Sequence, residues 1–125
     1  MNIKINRPLA IVKVHTTGLN PSIDRIVEVT ITRHSPDGKV KSGTRTINPE
    51  CHIPQEATDI HGITNEAVEN KKTFDQVGKN LLAFLEGADI AGFNVKFDIE
   101  MLASEFSRMG LDFSVVNRSV YDLYE

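Results

Sequence analysis

The chain has 125 residues, 40% of them hydrophobic and 25% charged, which suits one domain with a single core. Its formal net charge of -3 supplies no general attraction for a polyanion, so any nucleic-acid contact has to come from a local patch. The lone Cys51 has no partner for an internal disulfide, and neither a long apolar stretch nor a leader pattern occurs, so a reducing, cytoplasmic setting away from membranes is expected.

Leu9 to Val14 is an apolar run broken only by Lys13, the pattern of a buried central strand. Val27, Val29 and Ile31 alternate with Glu28, Thr30 and Thr32, which predicts a second strand with one wetter face. Pro36-Asp37-Gly38 is turn chemistry. Val40 to Ile47, poor in apolar residues and rich in Lys, Thr and Arg, returns as an exposed edge strand. The first third is therefore expected to be a three-stranded antiparallel meander. Thr73 with Gln76 forms a capping box, and Phe74, Val77, Gly78, Leu81, Leu82 and Leu85 then fall on one helical face. Gly87 ends that helix and Asp89 to Phe93 is a short strand. Ile99, Leu102, Ala103, Phe106 and Met109 mark another helix ending at Gly110, and Val115 to Tyr121 supplies a last strand. This order gives an α/β mixed sheet, the meander plus two parallel strands, with flanking helices and right-handed crossovers.

Lys13-Val14-His15-Thr16-Thr17-Gly18-Leu19 follows the first apolar run and resembles Asp-x-Glu-Thr-Thr-Gly-Leu, the first motif of the DEDDh family of 3′-to-5′ exonucleases. Lys13 stands at the aspartate and His15 at the glutamate. Downstream, Ile47-Asn48-Pro49, Ile53-Pro54 with Ala57, and Ile60-His61-Gly62-Ile63-Thr64 resemble the stretch between the first two motifs. Gly92-Phe93-Asn94-Val95-Lys96-Phe97-Asp98 with Met101-Leu102 resembles the second motif. The resemblance covers nearly the whole chain and implies a ribonuclease H-like sheet, residues 1–125 forming one exonuclease-like domain. The third motif, His-x-x-x-x-Asp, is absent: the sequence ends at Tyr121-Asp122-Leu123-Tyr124-Glu125 and no histidine follows His61. The expected domain thus lacks the family's C-terminal helical part.

The family's chemistry uses two magnesium or manganese ions about 3.5–4 Å apart, one preparing water and the other stabilising the leaving oxygen. Hard ions need oxygen ligands, which four carboxylates provide, with a histidine as base. Residues two apart on a strand share a face, so Lys13 and His15 are aimed where two acids belong. Like unit charges 4 Å apart repel by about 4 kcal/mol at an effective dielectric near 20, and a divalent ion feels roughly twice that. Neutral imidazole suits zinc, copper or nickel better than magnesium. Asp98 is the one residual catalytic-type acid, a weak metal ligand on its own, and it also suits the first turn of a helix. Lys13 either holds a phosphate in the metal's stead or, the favoured reading, extends its head into water past the strand end.

The resemblance further implies that Thr16, Thr17, Gly18, Leu19, His61, Asn94 and Phe97 contact a terminal nucleotide, with Gly18 allowing close backbone approach. For His61-Gly62, a turn carrying a surface imidazole is the competing expectation. Cys51, His52 and His61 lack structural zinc spacing and a fourth ligand. The expectation is an exonuclease-family domain that does not cut as it stands, needs no cofactor, and binds a single-stranded 3′ end weakly or a protein partner. Its rivals are an active exonuclease completed by a longer parent chain or second subunit, and a non-catalytic interaction module. Apolar surface left uncovered past the last strand makes a homodimer the expected assembly.

Overall fold

The computed structural model describes residues 5–124. Five strands form one sheet in the order β3-β2-β1-β4-β5. β1 (Leu9–Thr16), β2 (Ile26–His34) and β3 (Val40–Thr46) are the antiparallel meander. β4 (Asp89–Gly92) and β5 (Val120–Asp122) add in parallel on the other side of β1. This is the arrangement that the sequence pattern and the resemblance both predict.

β1 is central, yet beyond Leu9 it is fully buried on one face only. Ala10, Val12 and Val14 point into the core, whereas Ile11 and His15 are half-buried and Lys13 is exposed. The expected fully buried strand is corrected accordingly. α3 (Phe74–Leu85) and α4 (Val95–Arg108) both pack on the Ala10-Val12-Val14 face, so the opposite face carries polar partners such as Thr30 across from Lys13. The helices share an aromatic cluster in which Phe106 meets Phe74 edge-on at 5.2 Å and Phe113 at 5.4 Å.

The capping box at Thr73 and Gln76 is present as predicted. At the other end of α3, Arg33 donates to the carbonyls of Phe84 and Glu86, at 2.8 and 2.9 Å. Arg118 reaches those of Leu85 and Ala88, both at 2.6 Å. Two guanidinium groups thereby hold carbonyls that the helix cannot satisfy internally.

α1 (Gln55–His61) and α2 (Asn65–Val68) were not foreseen as helices. They cover a second small core of Val27, Ile53, Ala57 and Val68. A register shift between His15 and Thr16 places Ile26 opposite Thr16 and leaves Val27 to that core.

The edges of the sheet differ. β3 is exposed, with paired hydroxyls (Thr30 to Thr44, 3.0 Å; Thr32 to Ser42, 2.9 Å) and the charges of Lys41 and Arg45. β5 is shorter than expected, because residues 115–119 turn instead of extending. Asn117 adopts a left-handed φ of 67°, and the Val116 N–H binds Ser114 Oγ at 3.0 Å. Beside β5, Phe93 and Tyr124 meet edge-on at 5.7 Å and are largely exposed, as are Val116 and Tyr121.

Candidate functional site

The C-terminal end of β1 runs into a loop that folds back to β2. Thr17 and Arg25 close its base: the Thr17 N–H donates to Arg25 O at 2.9 Å, and the Arg25 N–H to Thr17 Oγ1 at 3.0 Å. Asp24 organises the interior, accepting from Thr17 Oγ1 at 3.0 Å and from the Asn20 N–H at 2.9 Å. A Cβ on Gly18 would lie 2.5 Å from the Asp24 carboxylate, so a side chain there would push Asp24 away from Thr17 and Asn20.

A cleft of about 520 Å³ opens between this loop, α1 and the start of α4. Of the expected contact residues, Thr16, Thr17, Gly18, Leu19, His61 and Phe97 line it, together with His15. Its other walls are Val14, Pro54, Ala57 and Ile60 with one acid, Glu56, so the lining is mainly apolar. Leu19 and Ile60 are both 84% exposed and stand as its lips. Lys13 and Asn94 are not among the lining residues. Asn94 is exposed in the left-handed region at φ 73°, where it starts α4 and donates its N–H to Asp122 Oδ1 at 3.3 Å.

His61 ends α1 and is half-buried, not a free surface imidazole. Its Nδ1 accepts the Ile63 N–H at 3.0 Å, which leaves the proton on Nε2 to be donated to Thr16 O at 3.1 Å. One neutral ring thus ties the first-motif strand to the α1–α2 connection. The His15 ring lies 5.5 Å from it, and His15 Nε2 is 3.8 Å from Glu28 Oε1. Burial and the nearby Lys13 ammonium hold His15 below its ordinary pKa, outweighing Glu28, so the ring is neutral near pH 7.

Asp98 sits in the first turn of α4, only 4% exposed. It accepts the Val14 backbone N–H, which lies beyond the last paired residue of β1 with β4. Gly92 makes room for it: a Cβ there would be 2.9 Å from Asp98 Oδ2 and 3.0 Å from Val12 O. Burial raises the Asp98 pKa to about 7, with Asp122 adding to the rise and Val14 and Lys13 opposing it.

Asp122, at the end of β5, was missed as a member of this group. Its Oδ1 also accepts the Tyr124 N–H at 3.0 Å. The signal available was positional, since sites in such sheets gather at the carboxyl ends of parallel strands.

The donors present do not fit a pair of magnesium ions. Asp98 Oδ2 is buried without a hydrogen-bond partner among the described residues, which calls for a cation or a proton. A carboxyl titrating near 7 readily takes the proton, and the Lys13 ammonium already supplies positive charge at that end. No group of three or more His, Cys, Asp or Glu side chains converges among the described residues.

A mixed five-stranded sheet with a cleft at the carboxyl end of its central strand defines the ribonuclease H-like exonuclease fold. Residues 14–120 match the family described as Exonuclease, and the chain belongs to it. It is 34% identical over 109 residues to the PolC-type DNA polymerase III of Thermotoga petrophila, covering 86% of this chain and 8% of that protein. The DNA polymerase III subunit epsilon of Rickettsia prowazekii is 36% identical over 101 residues, covering 78% of this chain and 43% of that one. The chain therefore spans less than half the length of these relatives. Among solved structures, E. coli exonuclease I in complex with a dT13 oligonucleotide matches with a TM-score of 0.81 at 21% identity, over 93% of this chain and 28% of that one. Among the described residues no helix is long and apolar enough to cross a membrane.

Proposed function

We propose that this domain is a catalytically silent member of its family that takes the 3′ end of a single strand into the cleft without a metal cofactor. The observation that carries the reading is the pairing of exposed Lys13 with neutral His15 on the strand face where the family's first two acids belong. A lysine there repels a divalent ion, and a half-protonated Asp98 is a poor ligand for one. The cleft itself is intact. Apolar lips at Leu19 and Ile60 and the Phe97 ring offer stacking and wedging surfaces for a base, contacts that tolerate any sequence. Binding is weak, because the net charge of -3 adds no long-range attraction. A cytoplasmic setting and a symmetric dimer complete the proposal. The dimer is supported by the exposed Phe93, Val116, Tyr121 and Tyr124 beside β5.

The relatives' greater length favours one second reading, in which a longer parent chain or second subunit supplies the missing base and acids. A magnesium titration with a labelled single strand separates the readings. Binding without cutting is expected with and without the ion. Magnesium-dependent shortening would overturn silence, and no binding at all would leave a protein-interaction module.

A further inference from the structure

We infer that Glu105 is a positioning residue for the cleft, fixing from behind the Thr17–Asp24 loop that forms one wall. This rests on the proposed binding role of that cleft.

Glu105 lies in α4 at 1% exposure, and a buried carboxylate persists only where paired and hydrogen-bonded. Its partners all come from the loop side or from a residue that serves the loop. Arg25 Nε donates to both oxygens at 3.0 and 3.1 Å, and Arg25 Nη2 lies 3.0 Å from Oε1. The Ile26 N–H donates to Oε2 at 2.8 Å. Arg108 Nη1 stands 3.4 Å from Oε1, while its Nη2 donates to the carbonyls of Pro21, Ser22 and Asp24 at 3.1, 3.3 and 3.5 Å. One buried anion thus holds two guanidinium groups together, one gripping the base of the loop and the other its returning carbonyls.

Apart from its internal hydrogen bonds, the loop has little else among the described residues to fix it to the body of the domain. Leu19 at its tip is exposed and no loop side chain belongs to either core cluster, so its order depends on polar contacts. If α4 needed only packing, an apolar residue at 105 would serve as well, since buried ion pairs are commonly replaceable by hydrophobic residues at no loss of stability. An acid fitted to two arginines instead specifies a geometry: Arg25 sets Thr17, Thr17 and Arg25 set Asp24, and Asp24 sets Gly18 and Asn20.

The test uses the whole chain with Glu105→Gln, and with Arg108→Ala as the variant that keeps the buried carboxylate paired to Arg25. Amide hydrogen exchange at Thr17, Asn20 and Asp24 is measured against Val77 and Leu81 in α3, alongside anisotropy of a labelled oligothymidylate. Glu105→Gln should accelerate loop exchange at least about tenfold relative to α3 and weaken oligonucleotide binding by a similar factor. Arg108→Ala should show the same pattern at about threefold, and Arg108→Lys should restore part of it. If Glu105→Gln does not fold, the Arg108 pair decides. Loop and α3 amides accelerating together, or unchanged loop exchange, would overturn the inference. Loop exchange that responds as expected in a protein that binds no oligonucleotide would uphold the anchoring and refute the proposed function of the cleft.

Discussion

Replacing Asp98 by asparagine should make the protein more stable at pH 8 and leave it little changed at pH 4.5. The folded-state pKa of Asp98 is raised from 3.8 to about 7, mainly by burial. Its contribution to stability is therefore complete below pH 4 and is lost as pH rises towards and through 7, because the unfolded chain ionises first. A shift of about 3 units at 1.36 kcal/mol each bounds the loss at about 4 kcal/mol, and relaxation of the surroundings around the ionised carboxylate brings it to about 2 kcal/mol. Asparagine keeps an oxygen for the Val14 N–H and cannot ionise, so the variant escapes the loss. Urea unfolding followed by circular dichroism from pH 4.5 to 8.5, in chelator, measures it. The gap between variant and wild type should open by about 2 kcal/mol across that range, equivalent to roughly 6–10 °C in Tm for a domain of this size. Parallel curves, or a variant less stable at pH 8, would refute the reasoning. Repeating the series in magnesium adds a control, since an ion bound to ionised Asp98 would stabilise the wild type selectively at high pH.

Lys13→Asp with His15→Glu should make divalent-ion binding detectable by calorimetry, with cutting still at background. Activity on a labelled strand should return only when a segment carrying His-x-x-x-x-Asp is appended to the double mutant, because groups acting as a unit are non-additive; robust digestion without it would show the third motif to be dispensable. His61→Ala removes the bonds to Thr16 O and from the Ile63 N–H, so it should cost about 1–2 kcal/mol in chemical unfolding and weaken oligonucleotide binding. Light scattering should show a dimer that Phe93→Ser with Tyr124→Ser converts to monomer, and a monomeric wild type at high concentration would count against the apolar patch as an interface.

The parts of the fold that could be read from the chain are those fixed by local rules. The Thr73–Gln76 box, the Gly87 stop and the alternation in β2 each depend on neighbours within a few residues. What was not legible depends on distant partners. Val115 and Val116 have strand-forming side chains, but Asn117 and Ser114 turn the backbone there. Glu105 reads as an ordinary helical acid until Arg25, 80 residues away, is placed against it. His61 was recognised by its motif neighbours, yet its tautomer and its tie to Thr16 arise from a fold in which residues 45 apart meet. Asp122 likewise acquires its role only when β5 docks beside β4.

The unlike edges of the sheet constrain how two copies can meet. β3, with its lysine and arginine side chains and saturated hydroxyl pairs, resists a partner strand, whereas β5 offers a short edge beside exposed aromatic rings. A two-fold joining β5 to β5 reverses strand direction across the junction and makes one ten-stranded sheet. The carboxyl ends of the two β1 strands, and with them both clefts, would then open towards opposite ends of the particle. Such a dimer could hold two separate strand ends at once, and neither cleft could lend a residue to the other.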